Sequence, residues 1–375
     1  MATSAIGPGF LTQTSLFTAS LGTSFGFVIL ISLILDIGVQ LNIWRMVTMR
    51  GERAQDIANK VVPGMGYVLA LLVAGGGLVF NIGNIAGTGL GLEVLTGMDV
   101  KFCAVISCVI ALGIFWYREA GLLMDGFAKL LGLIMILLTL YIAISSHPPV
   151  VSALYHTVWP EHTDMLKIIT LVGGTVGGYI SFAGAHRLLD AGVKGPAQLK
   201  QVNKSAISGI LITSVMRFTL FFAALGIVSQ GITLAAGNPA STVFQSAAGK
   251  LGYVFFGIVL WSAAITSVVG ASYTSVSFWK TLVPAVAKYE KWVISIFIII
   301  STLIFCLAGN PVRLLVMAGA VNGIILPLAL AIMLIASYRR DTKTQYRHPA
   351  WLQVVGWIVV VALSWMSVVG LRGLF

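Results

Sequence analysis

The chain has 375 residues, 58% of them hydrophobic and only 9% charged, with a mean hydropathy of +0.97. That balance excludes a water-soluble domain, because apolar runs of about 20 residues, enough to cross roughly 30 Å of hydrocarbon, recur along the whole length. The formal net charge of +11 invites a nucleic-acid role, but the charges gather in alternate loops, which is a mark of membrane topology.

In chain order, apolar spans are predicted at 1–23, 25–44, 63–92, 100–117, 121–145, 165–190, 205–229, 251–279, 292–309, 312–337 and 350–371. The expected fold is an all-α polytopic membrane protein of about eleven helices, read as one transmembrane domain over residues 1–375 with no room for a soluble one. Span one lacks a preceding basic region and is expected not to be a cleavable signal peptide. Arg45, Arg50, Arg53 and Lys60 follow span two, and Arg118 follows span four. Arg187, Lys194, Lys200 and Lys204 follow span six; Lys280, Lys288 and Lys291 follow span eight; Arg339, Arg340, Lys343 and Arg347 follow span ten. The other loops hold few cations. The positive-inside rule then puts the N-terminus in the cytoplasm and the C-terminus outside, with a bacterial inner membrane as the expected location and membrane lipid as the constant partner.

Two spans are broken by glycine. Span one carries Gly7-Pro8-Gly9, and span six carries Gly173-Gly174-Thr175-Val176-Gly177-Gly178. Backbone polar groups must be satisfied internally in hydrocarbon, so an unwound stretch survives only where protein or solute takes up the freed groups. Interrupted spans at matching positions of two halves point to the solute site of a secondary transporter. The residues expected to line it are Gly7, Pro8, Gly9, Phe10, Thr12, Gln13 and Thr14 in span one, with Gly174, Thr175, Gly177, Gly178, Tyr179 and Ser181 in span six. The four-residue glycine spacing in span three, Gly83, Gly87 and Gly91, reads more simply as close helix packing.

Polar groups within spans supply the pathway or gate candidates. Asp36 in span two is a functional-site candidate because a mid-span carboxylate is costly; its structural alternative is a buried pair with Lys129 or Arg217. His186 and Arg187 close span six, where Arg187 has Asp190 three residues away as a possible partner. Asn81 and Asn84 in span three and Asn322 in span ten complete the set, and Thr266 and Ser267 in span eight rank lower. Asp125 and Lys129 read as a same-face ion pair.

An enzyme is not expected. Gly22-Thr23-Ser24-Phe25-Gly26 matches G-x-S-x-G, yet it joins two apolar helices where the nucleophile elbow needs a strand before it. His147, His156 and His162 share one outer loop without the i, i+4 spacing of a metal pair. Cys103, Cys108 and Cys306 lie in apolar spans and read as small hydrophobes. No cofactor is expected.

Several stretches resemble the NRAMP divalent-metal transporters. Asn81-Ile82-Gly83-Asn84-Ile85-Ala86-Gly87-Thr88-Gly89-Leu90 is similar to the family's D-L-A-E-V-I-G-T-A-I, and Val202-Asn203-Lys204-Ser205-Ala206 to F-N-R-I-D-S-A. Gly173-Gly174-Thr175-Val176 is similar to G-A-T-V, and Leu326-Pro327-Leu328 to L-P-F. The resemblance implies a leucine-transporter-type architecture: two inverted five-helix repeats, 1–145 and 165–337, with helices one and six broken, plus an extra helix at 350–371. It also exposes departures. The family's D-P-G-N falls either on Gly7-Pro8-Gly9-Phe10 or on Thr18-Ala19-Ser20-Leu21, and neither supplies a carboxylate. M-P-H becomes Gly177, Gly178 and Tyr179, and Asn81 and Asn84 replace the Asp and Glu implicated in moving protons. Two cargoes stay open: a divalent metal ion (Mn²⁺ or Mg²⁺-like) held by a non-standard site without proton coupling, or a small organic acid or amino acid.

Overall fold

The computed structural model describes residues 7–339 and 346–372, without the side chains of 118–125 and 127–129. The start of span one, the Asp125–Lys129 pair, the Arg118 side chain, Arg340 and Lys343 lie outside the described residues. The described chain is helical with no strand among its elements. The helices are α1 (Pro8–Leu21), α2 (Phe25–Arg50), α3 (Ala54–Val61), α4 (Met65–Thr96), α5 (Val100–Trp116), α6 (Arg118–Ser145), α7 (Val150–Val158), α8 (Met165–Val176), α9 (Ile180–Asp190), α10 (Leu199–Ser229), α11 (Pro239–Ser277), α12 (Pro284–Lys288), α13 (Glu290–Ala308), α14 (Pro311–Ser337) and α15 (Ala350–Arg372).

Among the described residues, eight helical runs are long and apolar enough to cross a membrane, or nine if the bent pair Leu130–Ser145 and Val150–Val158 forms one span. The expected eleven are not reached, for two physical reasons. Pro8–Arg50 runs on as one 43-residue stretch, divided only by the 3₁₀ turn Gly22–Ser24, and Val100–Trp116 has 17 residues, short of the usual crossing length. The span predicted at 251–279 begins earlier, at Pro239, and passes a non-helical residue at Gly249. The short α3, α7 and α12 occupy stretches read from sequence as loops.

Small residues set the helix spacing. A Cβ on Gly87 would lie 2.2 Å from Pro8 Cγ, so α4 receives the first proline of α1 directly on its backbone. At the Gly22-Thr23-Ser24-Phe25-Gly26 turn, Gly22 has φ +54°, and a Cβ on Gly26 would strike Thr157 Oγ1. Ser24 Oγ accepts the Glu161 backbone N–H at 3.1 Å. Close packing and a left-handed glycine thus account for the motif.

The basic loops after α2, α9 and α14 meet at one end of the bundle. Gly195 N donates to Thr48 O at 2.9 Å, Arg50 Nη2 donates to the carbonyls of Ala336 (2.8 Å) and Arg339 (2.7 Å), and Arg339 Nη1 donates to Lys60 O at 2.7 Å. In the loop before α15, His348 Nε2 lies 2.8 Å from Asn42 Oδ1 and its Nδ1 lies 3.2 Å from the Tyr346 hydroxyl. Asn42 Nδ2 is committed to Gly38 O, so its oxygen faces the ring and Nε2 carries the proton. Burial, with Arg45 and Arg50 nearby, holds the His348 pKa down to about 4. A folded-state pKa below the unfolded value of about 6.5 gives stability that is complete above that value and is lost as pH falls toward 4. The apparent Tm of the detergent-solubilised protein should therefore drop between pH 6.5 and 4, and His348→Asn should flatten that slope; an unchanged slope would refute the assignment.

Candidate solute site at the helix breaks

The break in span six is tighter than the sequence suggests. Gly173, Gly174 and Thr175 remain helical, and only Gly177, Gly178 and Tyr179 separate α8 from α9, with Gly177 at φ −46°, ψ 170°. The reason is one residue of α14, through its backbone carbonyl and its side chain. Asn322 O accepts Gly178 N–H at 3.0 Å, Asn322 Oδ1 accepts Tyr179 N–H at 3.1 Å, and its Nδ2 donates to Gly76 O (2.9 Å) and Ala318 O (3.0 Å). On the other side of the break the Ser181 hydroxyl donates to Val176 O at 2.7 Å, and Trp44 Nε1 donates to Ser181 O at 2.9 Å. Protein groups thus take up the N–H of Gly178 and Tyr179 and the carbonyls of Val176 and Ser181. Asn322 and Ser181, predicted as pathway and solute contacts, are committed to holding the break open.

In span one Gly7 is extended (φ −102°, ψ −175°) and Pro8 opens α1; what precedes Gly7 lies outside the described residues. Proline at a first helical position costs no hydrogen bond. The alternative placement at Thr18-Ala19-Ser20-Leu21 is excluded, since those residues are regular helix. Thr14 Oγ1 donates back to Phe10 O at 2.7 Å, which leaves it no proton for a solute. Gln13 bridges three helices: its Nε2 donates to Leu315 O at 3.0 Å on α14, while its Oε1 lies against Gly174 of α8, 2.7 Å from where a Cβ there would stand. That Oε1 is buried without a partner.

Beside the break lies a charged cluster drawn from four helices. Asp36 (α2) and Arg217 (α10) are 1% and 2% exposed. Thr175 of α8 lies between them: its hydroxyl accepts Arg217 Nη1–H at 2.7 Å, donates to Leu171 O at 2.8 Å and sits beside the Asp36 carboxyl. Phe10 of α1 lies under the guanidinium, 4.4 Å from its carbon to the ring centre. Asp36 therefore answers to Arg217 and Thr175. Among the described residues, Asp36 Oδ1, Arg217 Nε and Arg217 Nη2 have no hydrogen-bond partner. Arg217 entered the sequence reading only as a partner for Asp36, although a lone arginine in span seven carries the same signal as a lone aspartate in span two.

The other candidates are dispersed. Asn81 Nδ2 donates to the hydroxyls of Ser272 (3.1 Å) and Ser301 (3.0 Å), so it ties α4 to α11 and α13; its Oδ1 and Asn84 Nδ2 lack partners. Thr12 and Gly9 are in the wall of α1, and Tyr179 stacks on Phe80 at 5.7 Å. His186 accepts Ala54 N–H on Nε2 at 3.2 Å and stacks on Phe278 at 4.4 Å, capping α3. Asp190 pairs with Arg53 at 2.7 Å, a partner on another element that replaces the expected Arg187. Arg187 is exposed and reaches toward Gly270. Thr266 Oγ1 donates to its own helix, and Ser267 Oγ approaches Gly7. His156 lies 3.2 Å from Glu161 and 2.8 Å from Thr23 Oγ1. Among the described residues, no three His, Cys, Asp or Glu side chains gather as a metal site.

Residues 1–372 match the Nramp family model, described as natural resistance-associated macrophage protein-like. The chain belongs to the Nramp family. An uncharacterized membrane protein of Bacillus subtilis, YcsG, is 55% identical over 368 residues, covering 98% of this chain and 91% of the relative. Among solved structures, the Eremococcus coleocola manganese transporter is similar with a TM-score of 0.70 at 13% identity, over 98% of this chain and 84% of that one. MhsT, solved in complex with L-phenylalanine, is similar at 0.64 and 16% identity, over 98% and 96%. At such identities the likeness concerns the fold alone, which is of the leucine-transporter type. This Nramp family fold is that of membrane transporters, not enzymes.

Proposed function

We propose that the chain is a secondary transporter whose solute sits where α1 meets the break between α8 and α9. The observation that carries this is a set of buried groups, unpartnered among the described residues, beside the adjacent Gly174 and Thr175: Gln13 Oε1, Asp36 Oδ1, Arg217 Nε and Arg217 Nη2, at a place that discontinuous helices provide in this class of transporter. The manganese transporter among the structural neighbours and the family membership support a divalent metal ion as cargo. The family's Asp, Asn and Met ligands are missing, and Asp36, brought beside Thr175, is the carboxylate available in their place. On that reading Asn81 and Asn84, being neutral, leave metal movement without proton transfer through α4. The meeting of the basic loops at one end supports a cytoplasmic N-terminus, an outer C-terminus and an inner-membrane location.

One observation favours a second cargo. Arg217 puts a buried positive charge against the same break, which repels a bare cation and attracts an organic acid. Purified protein in liposomes separates the two, with Mn²⁺ outside and a pH-sensitive dye inside. The metal reading expects saturable Mn²⁺ uptake without acidification. No saturable movement of any divalent ion removes it, and proton influx with Mn²⁺ sinks the inference drawn from Asn81 and Asn84.

A further inference from the structure

We infer that Arg217 is the anchor for a carboxylate, and that the natural cargo is a small organic acid whose carboxylate takes the free edge of this guanidinium. The inference rests on the placing of the solute site at the breaks and names the class that site accepts.

Arg217 Nη1 is used by Thr175, whereas Nε and Nη2 are buried and bare. Nε–H and the adjacent Nη2–H point in parallel along one edge of the guanidinium plane, the edge that receives both oxygens of a carboxylate in a bidentate pair. The remaining contacts hold that edge in place. Thr175 fixes one end of the group, and Phe10 at 4.4 Å supports its flat face without consuming a donor. An arginine whose role were only to balance Asp36 would point its fork at the carboxylate. Among the described residues, the ion pairs within 4 Å do not include Asp36 with Arg217, and the Thr175 hydroxyl stands between the two side chains.

Two acceptors complete the site. Asp36 Oδ1 and Gln13 Oε1 are also buried and bare, and neither can serve a carboxylate, which has no proton to give. They suit an N–H or O–H on the same solute. The arrangement thus describes one molecule: a carboxylate at Arg217 with a hydrogen-bond donor close to it, as in amino, hydroxy and related acids. Phe10, Gln13, Asp36, Thr175 and Arg217 are each 3% exposed or less, so the solute is small and is reached only when helices move. A bare divalent ion would find one carboxylate oxygen and one amide oxygen, set against a fixed positive charge. Bidentate recognition also sets a chemical test, since an ester or amide of the same acid removes the charge and one acceptor while keeping the shape.

The test uses the full chain in detergent and in liposomes. The probes are radiolabelled L-alanine, L-lactate, pyruvate and succinate, each competed by its methyl ester or amide. At least one acid should bind saturably, with its ester at least 100-fold weaker as competitor. Arg217→Lys should weaken binding at least tenfold because an ammonium cannot make the two parallel bonds, and Arg217→Gln should abolish it. Since removing one buried charge could prevent folding, the double variant Asp36→Asn/Arg217→Gln removes both; it should elute as folded protein and bind no acid. Acid binding by the double variant at the wild-type level, or an ester that competes equally, overturns the inference. So does a panel in which no acid binds. Gln13→Cys treated with a bulky thiol reagent tells the two levels apart. If Mn²⁺ binds, is blocked by the reagent and no acid binds, the site stands and the class is wrong. If an acid binds and the reagent leaves it untouched, the solute lies elsewhere and the site itself is wrong.

Discussion

Asn322→Ala should destabilise the folded protein by about 2 kcal/mol and reduce transport at least tenfold. Asn322 is fully buried, and its side chain holds Tyr179 N–H, Gly76 O and Ala318 O together. Truncation leaves the Tyr179 N–H without a partner at a depth where water does not reach, and an orphaned buried donor costs about 1–3 kcal/mol. The carbonyls of Gly76 and Ala318 lie within helices and keep their helical bonds, so the loss centres on one amide. Asn322→Leu separates the two possible causes, because it refills most of the volume and restores no hydrogen bond. Equal losses for alanine and leucine, measured as unfolding in a detergent titration, would show that the clamp acts through polar contacts. Recovery in the leucine variant would show that it only fills space, and the account of the break given above would fail.

That clamp changes what a broken helix implies. The sequence shows glycines where a span should be regular, and in span six α8 and α9 do separate at Gly177 and Gly178, while in span one the described residues start at an extended Gly7. A span of sequence shows which groups are freed but not which distant residue takes them, and Asn322 and Trp44 lie more than 100 residues away. For the same reason Ser181 and Thr14, chosen for being next to a break, turn out to bond to nearby carbonyls, the ordinary fate of a hydroxyl on a helix. Asp36 and Arg217 are the opposite case. Each was visible as a charge inside an apolar span, yet their meeting at Thr175 depends on three helices crossing, which spacing along the chain does not encode. Asp190 shows the same limit, since Arg187 three residues away was the local partner and Arg53 of the α2–α3 connection is the actual one.

Gly173→Ala should have a still larger effect, about 3 kcal/mol or more, because it strikes backbone. A Cβ at Gly173 would lie 1.9 Å from Gly319 O and 2.3 Å from Gly323 N, and no rotamer relieves a clash with main chain. The contact is reciprocal. A Cβ on Gly319 would come within 2.5 Å of Thr170 O, and one on Gly323 within 2.3 Å of Ile169 O. Gly319 and Gly323, four apart on α14, thus make the groove in which α8 lies, a close approach that small residues permit in membranes. Asn322 sits between them, so any shift of α14 away from α8 also withdraws the clamp from Gly178 and Tyr179. The two effects should therefore overlap: Gly173→Ala combined with Asn322→Ala should cost clearly less than the sum of the single losses, as expected for residues acting through one contact. Gly113→Ala provides the reference, since a Cβ there meets nothing within 4 Å, and it should leave stability unchanged or slightly raised through a stiffer unfolded chain. If Gly173→Ala melts with the Gly113→Ala variant, α8 and α14 are not in backbone contact; if the double variant is additive, the clamp and the groove act separately.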